Sequence, residues 1–310
     1  MNIKTKKLGE AKKGRKTLPW LTSNILHAAS ETPEKAKELV AKSWENIVNV
    51  IDLNENGEID IEDIIIYGIK TPGIRINRAE FLQKELFKNY PQEVIDIAIK
   101  CNPARAGIPS EEIDRIAGEV IKYERKFVTR IATVLGVPGG IFMLVAAPAD
   151  FLQNYAYMIR AAQKLLYLYG FPEIVSEEKG EMIDAETVNI LIICLGVMYG
   201  VAGANKALVT MGKALGKGVE KKLLNTALTK GAIYPIVKNV AKWFNIKMTK
   251  QVFAGAVNKG IPIFGAFIGG GITYLSFGPC CNKLKVSLQD TMLSNPTRHD
   301  ISKEEDIKVL

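Results

Sequence analysis

Residues 150–171 read DFLQNYAYMIRAAQKLLYLYGF, and this stretch decides the fold. It predicts one long helix. Asp150 opens it, its carboxylate lying beside the positive end of the helix dipole. Gly170 and Pro172 end it, since one permits a left-handed cap and the other cannot continue a helix. Its polar residues are Asp150, Gln153, Asn154, Arg160, Gln163 and Lys164. Two readings of them stay open. In one, Asp150, Arg160 and Gln163 lie beside an apolar ligand pocket. In the other, the row makes helix-end and interhelix hydrogen bonds.

Working outward, the same period recurs. Ser110 with Glu111 and Glu112 predicts a helix to about Arg130, with Ile113, Ile116, Ala117, Val120 and Ile121 as its buried stripe. Thr32, Pro33 and Glu34 predict another, running toward Asp52, with Leu39, Val40, Trp44, Ile47, Val48 and Ile51 at spacings of three and four. The runs IVNVI and IDIEDIII look strand-like alone but sit inside these longer patterns. The expectation is an all-α chain: a helical bundle with Gly-rich apolar hairpins, preceded by a small EF-hand-like helix-loop-helix. The zones read as a basic arm at 1–16, a helical region at 17–100, a helical domain at 101–288 and a polar tail at 289–310.

The loop of that helix-loop-helix is Asp52-Leu-Asn54-Glu-Asn56-Gly57-Glu58-Ile59-Asp60-Ile-Glu62-Asp63. This is the twelve-residue EF-hand spacing. Asp52, Asn54, Asn56, Asp60 and Asp63 offer side-chain oxygens, Glu58 its backbone carbonyl, and Gly57 the sharp turn. A hard cation needs six to eight oxygens around one point, so the expected ligand is Ca2+. Asp63 stands where Glu is usual, and two ligands are amides, which lowers the expected affinity. The loop resembles the single loops of dockerin modules, where Asp at position twelve is normal. The alternative is a turn kept for its shape.

Three uncharged runs, 131–149, 187–205 and 260–282, have the length of a bilayer crossing. Pro138, Pro262, Pro279 and clustered glycines interrupt the outer two. Gly196, Gly200 and Gly203 give the middle one a small-residue face suited to close helix packing. A buried helical hairpin core is the alternative to membrane entry. Between 206 and 250 stand ten lysines and one acid, Glu220. Over 206–224, Leu208, Met211, Leu215, Val219 and Leu223 line one face while Lys206, Lys213, Lys217 and Lys221 project from the other. That is the pattern of a helix lying on an anionic membrane surface, or of a core helix with a solvated side.

The net charge of +8 also points to an acidic partner. Anionic lipid fits best, a protein partner is left open, and nucleic acid fits poorly because no aromatic stacking set or recognition motif accompanies the charge. The chain is too polar for a polytopic transporter. His27 and His299 have no metal-ligand neighbours, and GxxxxGK[ST] and GxSxG are absent, so no catalytic residue is assigned. Cys101, Cys194, Cys280 and Cys281 form no disulfide framework, which suggests a reducing compartment. Residues 1–16 lack the apolar run of a secretory signal.

The run 136–171, with Pro148-Ala149-Asp150, Arg160, Gln163, Tyr169 and Gly170, resembles the central signature of EcsC-like proteins. The run 261–274, IPIFGAFIGGGITY, is similar to their second Gly-rich block. The resemblance covers about residues 105–290. It implies a helical, membrane-associated bacterial protein and brings no catalytic residue. The expected role is a non-enzymatic protein, cytoplasmic and peripheral at the inner face of the membrane, with integral insertion left open. A soluble carrier or enzyme with an apolar pocket, and a membrane-inserting toxin-like module, are the alternatives.

Overall fold

The structure is a computed structural model that describes residues 52, 59–134, 141–175, 183–217, 226–248 and 270–294. Among them every regular element is a helix and no strand occurs, as the periodicity predicts. The basic arm, the helix predicted after Pro33 and most of the C-terminal tail lie outside these residues.

Helix α1, Ile61–Lys70, begins at a capping box. Asp60 Oδ1 accepts the backbone N–H groups of Glu62 and Asp63, at 2.9 and 3.0 Å, and Asp63 Oδ2 accepts that of Asp60 at 3.2 Å. Helices α2, Arg78–Leu86, and α3, Gln92–Lys100, follow. Helix α4 runs Ser110–Val134, and all five residues of its expected stripe are buried.

Helix α5 spans Ile141–Leu168. Its end is as expected. Gly170 (φ +92°) lets Phe171 N–H reach the Leu166 carbonyl at 2.9 Å and its own N–H reach that of Tyr167 at 3.3 Å. Its start is not. The helix runs through Pro148, so Asp150 stands in its interior instead of opening it. Proline costs one backbone bond, to the carbonyl of Leu144, but fixes a helical φ. The Leu- and Ala-rich run before it favours helix.

Helix α6, Ala185–Tyr199, is capped by Asp184, which accepts from Thr187 N–H at 2.8 Å. The apolar run 187–205 is not one span. Gly200 and Gly203 adopt left-handed φ of 73° and 85° and turn the chain into α7, Ala204–Gly216. At 15 residues, α6 is about 22 Å long, short of the ~30 Å hydrocarbon core. Among the described residues no helix is long and apolar enough to cross a membrane. Helices α8, Tyr234–Met248, and α9, Gly270–Gln289, follow.

Helix α5 is the axis. Phe127 of α4 meets Tyr157 edge-on, at 5.5 Å between ring centroids. Asp114 and Arg125 of α4 meet Gln289 and Gly278 of α9, so those two helices are antiparallel. Gly68 of α1 packs on Ala156 and Ile159 of α5. Phe244 of α8 sits edge-on to Tyr155 of α5 and to Tyr199 of α6. One hydrophobic core runs from Ile59 to Leu293. Residues on both sides of position 100 share it, and Thr291, Leu293 and Ser294 of the expected polar tail are buried in the fold.

Gly196 shows how tightly α6 is held. A Cβ there would stand 2.7 Å from Val240 Cγ1 and 2.9 Å from Ala204 Cβ. We therefore expect Gly196→Ala to lower stability by about 1–3 kcal/mol, the usual cost of overpacking, although alanine is the better helix former. Urea denaturation of the variant beside the wild type measures it, and an unchanged midpoint contradicts this packing.

Candidate functional site

The calcium-type loop enters α1 through the capping box. Asp52, Asp60 and Asp63 are described; Asn54, Asn56 and Glu58 lie outside the described residues. The carboxylates of Asp60 and Asp63 already bind backbone N–H groups, and Asp63 is buried. The Ile61 N–H donates to Asn245 Oδ1 at 3.1 Å, which ties the loop exit to the end of α8. Among the described residues no three His, Cys, Asp or Glu side chains converge on one point. The chemistry of the donors suits a hard cation, since the three described candidates are carboxylates.

Helix α7 keeps its lysines outward. Lys206 and Lys217 are exposed and Lys213 half-buried, while Lys221 lies outside the described residues. The opposite face is spent inside the protein. Leu208 and Met211 are buried, Leu215 packs against the core, and Gly212 lies close against Thr291. In this state α7 is a core helix with a solvated basic side and offers lipid no apolar face. Arg105 adds a guanidinium N–H to the Gly216 carbonyl at its C-terminus, at 3.3 Å. Lys230, Lys238 and Lys242, around and on α8, are exposed too.

Arg160 and Gln163 turn to different neighbours. Gln163 is fully buried and clamps the segment after α1. Its Oε1 accepts from Ile76 N–H at 3.1 Å, and its Nε2 donates to the Ile74 and Ile159 carbonyls at 3.1 and 3.2 Å. Arg160 faces α4 instead, with its guanidinium 5.3 Å from the Phe127 ring centre. The side chain of Asp150 lies outside the described residues.

Arg160 belongs to a cluster that the sequence reading missed. Glu124 of α4 is 0% exposed. Its Oε1 accepts Lys164 Nζ at 2.6 Å and lies 3.5 Å from Arg160 Nε. Lys164 Nζ also stands 5.6 Å from the ring centres of Phe81 and Tyr123. The signal was in the spacing. Glu124 follows Val120 by four and precedes Val128 by four, so a carboxylate stands on the apolar stripe and needs cations opposite it. A second polar group closes the far end of the bundle. Asp114 accepts the Tyr169 hydroxyl and the Gln289 amide, beside a cleft of about 270 Å³ that Ser110, Asp290 and Ser294 also line.

Cys194 and Cys281 are placed for packing, while Cys101 is exposed and Cys280 half-buried. Burial pushes Cys194 up to about 12, and pushes Cys281 well above the usual thiol range, with Cys280 and Glu124 adding to the effect. Neutral, desolvated thiols are poor nucleophiles. Comparison of the chain with protein-family models, with curated proteins and with solved structures finds no match.

Two outcomes follow for stability. Removing the Glu124 charge by Glu124→Gln leaves two inward cations, so we expect a loss of about 3–5 kcal/mol. The apolar pair Glu124→Leu/Lys164→Met should lose less than the two single changes added together, which a double-mutant cycle in urea reads directly. In pH, the unfolded chain releases its thiol protons at about 8.5, while Cys194 holds its proton until about 12. The contribution of this thiol to stability is therefore complete below about pH 8.5 and is lost as pH rises toward 12. Cys194→Ala should flatten that alkaline slope in a Tm series.

Proposed function

We propose that this protein attaches reversibly to anionic membrane surfaces, without catalysis, and holds Ca2+ in its 52–63 loop. The observation that carries the reading is charge segregation. From residue 187 to 289 the sequence has thirteen lysines and a single acid, Glu220. Lys206, Lys217, Lys230, Lys238 and Lys242 of this region are exposed. A lysine close to an anionic leaflet contributes about 1 kcal/mol, so a few acting together give binding that salt disperses. The attachment of α7 is electrostatic, because its apolar face is used in the core. The resemblance of 136–171 and 261–274 to EcsC-like proteins supports a membrane partner, and the anionic, cytoplasm-facing leaflet suits both the lysines and the free thiols.

Calcium acts first on structure in this reading. Asp60 and Asp63 serve both the loop and the start of α1, and α1 packs on α5. An ion that draws Asp52 to those carboxylates closes the loop onto the bundle.

Flotation with phosphatidylcholine–phosphatidylserine vesicles tests the first part. We expect binding at low salt, release by salt, and at least a tenfold loss of affinity in Lys206→Ala/Lys217→Ala/Lys238→Ala/Lys242→Ala. No flotation at low salt, with or without calcium, ends the reading. For the second part, Ca2+ should raise the Tm of the wild type, and Asp52→Asn, which spares the capping box, should remove most of that rise.

A further inference from the structure

Four helices meet at one exposed turn. Gly200 and Gly203 bend the chain from α6 into α7, and Gly200, Ala202 and Gly203 are all exposed. Contacts place the neighbours of this turn. A Cβ on Gly200 would stand 3.5 Å from Lys283 Nζ of α9, and one on Gly203 would stand 3.4 Å from Ile236 Cγ2 of α8. Two residues further along α8, Lys238 holds its ammonium 4.8 Å from the ring centre of Tyr234. Lys206 stands in the first turn of α7. Helices α7, α8 and α9 thus bring one lysine each to the surroundings of the turn, and all three lysines are exposed.

Little between these cations holds a flat surface away. The turn itself is made of small residues, and Pro235 and Pro279 beside it are exposed. Val286 is 58% exposed and lies one turn from Lys283 on the same side of α9. The start of α7 adds the positive end of its dipole, because Gly203 supplies no side-chain cap and the first turn holds no acid.

The acids stand elsewhere. No described carboxylate pairs with Lys206, Lys238 or Lys283. Asp290 lies two turns beyond Lys283, about 10 Å along α9, beside the second half of α7, where Gly212 and Gly216 pack against Thr291 and Met292. Helix α8 reaches the carboxylates of the capping box only near its other end, through Asn245, about 10 Å beyond Lys238. Both distances exceed the ~8 Å over which charges act at physiological salt. The exposed acids Glu62, Glu80, Glu93, Asp96, Glu111 and Glu119 all belong to α1–α4.

We propose that the face formed by the α6–α7 turn, the first turns of α8 and the middle of α9 is the one that docks on an anionic bilayer, with Lys206, Lys238 and Lys283 on the lipid phosphates and carboxylates. This rests on the membrane attachment argued above and gives that attachment an orientation. Charge complementarity selects the occupant. Three unpaired cations call for an anionic partner, and the exposed glycine, proline and valine among them suit the headgroup layer, where polar and apolar contacts are offered together. The acidic helices α1–α4 do not compete with this face for the surface.

The test uses the full chain with phosphatidylcholine–phosphatidylserine vesicles at about 50 mM NaCl. Brief acetylation by an N-hydroxysuccinimide ester, read by mass spectrometry, should fall at least fivefold at Lys206, Lys238 and Lys283 when vesicles are added. It should stay unchanged at Lys84 and Lys88, which are exposed at the end of α2. In flotation, Lys206→Glu/Lys283→Glu should lose at least tenfold in affinity, while Lys84→Glu/Lys88→Glu, of equal net charge, stays within about twofold of the wild type. Equal losses in the two pairs mean that attachment follows net charge alone, and overturn the docking face. Undiminished acetylation of the three lysines on floating protein overturns it too, and this readout of the wild type decides the matter should a variant fail to fold. A wild type that does not float at all is the failure of the attachment itself.

Discussion

From Ala161 to Phe171 every residue of α5 and its cap is buried. A helix enclosed on all sides cannot leave a polar group to water, so three of its polar side chains find partners in neighbouring elements. Gln163 takes the backbone between α1 and α2, Lys164 takes Glu124 of α4, and Tyr169 takes Asp114, which in turn takes Gln289 of α9. An unpartnered buried dipole costs about 1–3 kcal/mol, and a broken buried ion pair about 3–5. Set against a usual net stability of 5–15 kcal/mol, each of these three contacts is large enough to choose among alternative packings. Apolar area drives collapse around α5, but the polar partners set the register.

Arg78 closes the same core from another side. It is 7% exposed, and its guanidinium donates to the carbonyls of Ala98, Ile99 and Cys101 at the end of α3 and to that of Phe171 just past α5. A helix end leaves its last carbonyls without donors. One guanidinium supplies them and brings positive charge to the negative end of the α3 dipole. Burial works against its charge and lowers its pKa from the ordinary value, an effect that four carbonyl oxygens oppose. The segment 78–101 is thereby fastened to the exit of α5, and one core crosses the boundary that composition suggested near residue 100.

The residues whose local chemistry is self-contained were legible in the sequence. The stripe of α4 needs only the 3.6-residue period, and the end of α5 needs only Gly170. What escaped depends on partners far along the chain. Nothing local says that Pro148 lies inside a helix, because its one lost hydrogen bond is weighed against a long apolar run on a tertiary scaffold. The same holds for the glycines of 187–205. In sequence they form one small-residue face. In the fold Gly196 admits Val240 and Ala204, while Gly200 and Gly203 adopt left-handed angles and break the run in two. Glu124 was readable as an anomaly on its stripe, but Arg160 and Lys164 could be matched to it only once α4 and α5 were antiparallel.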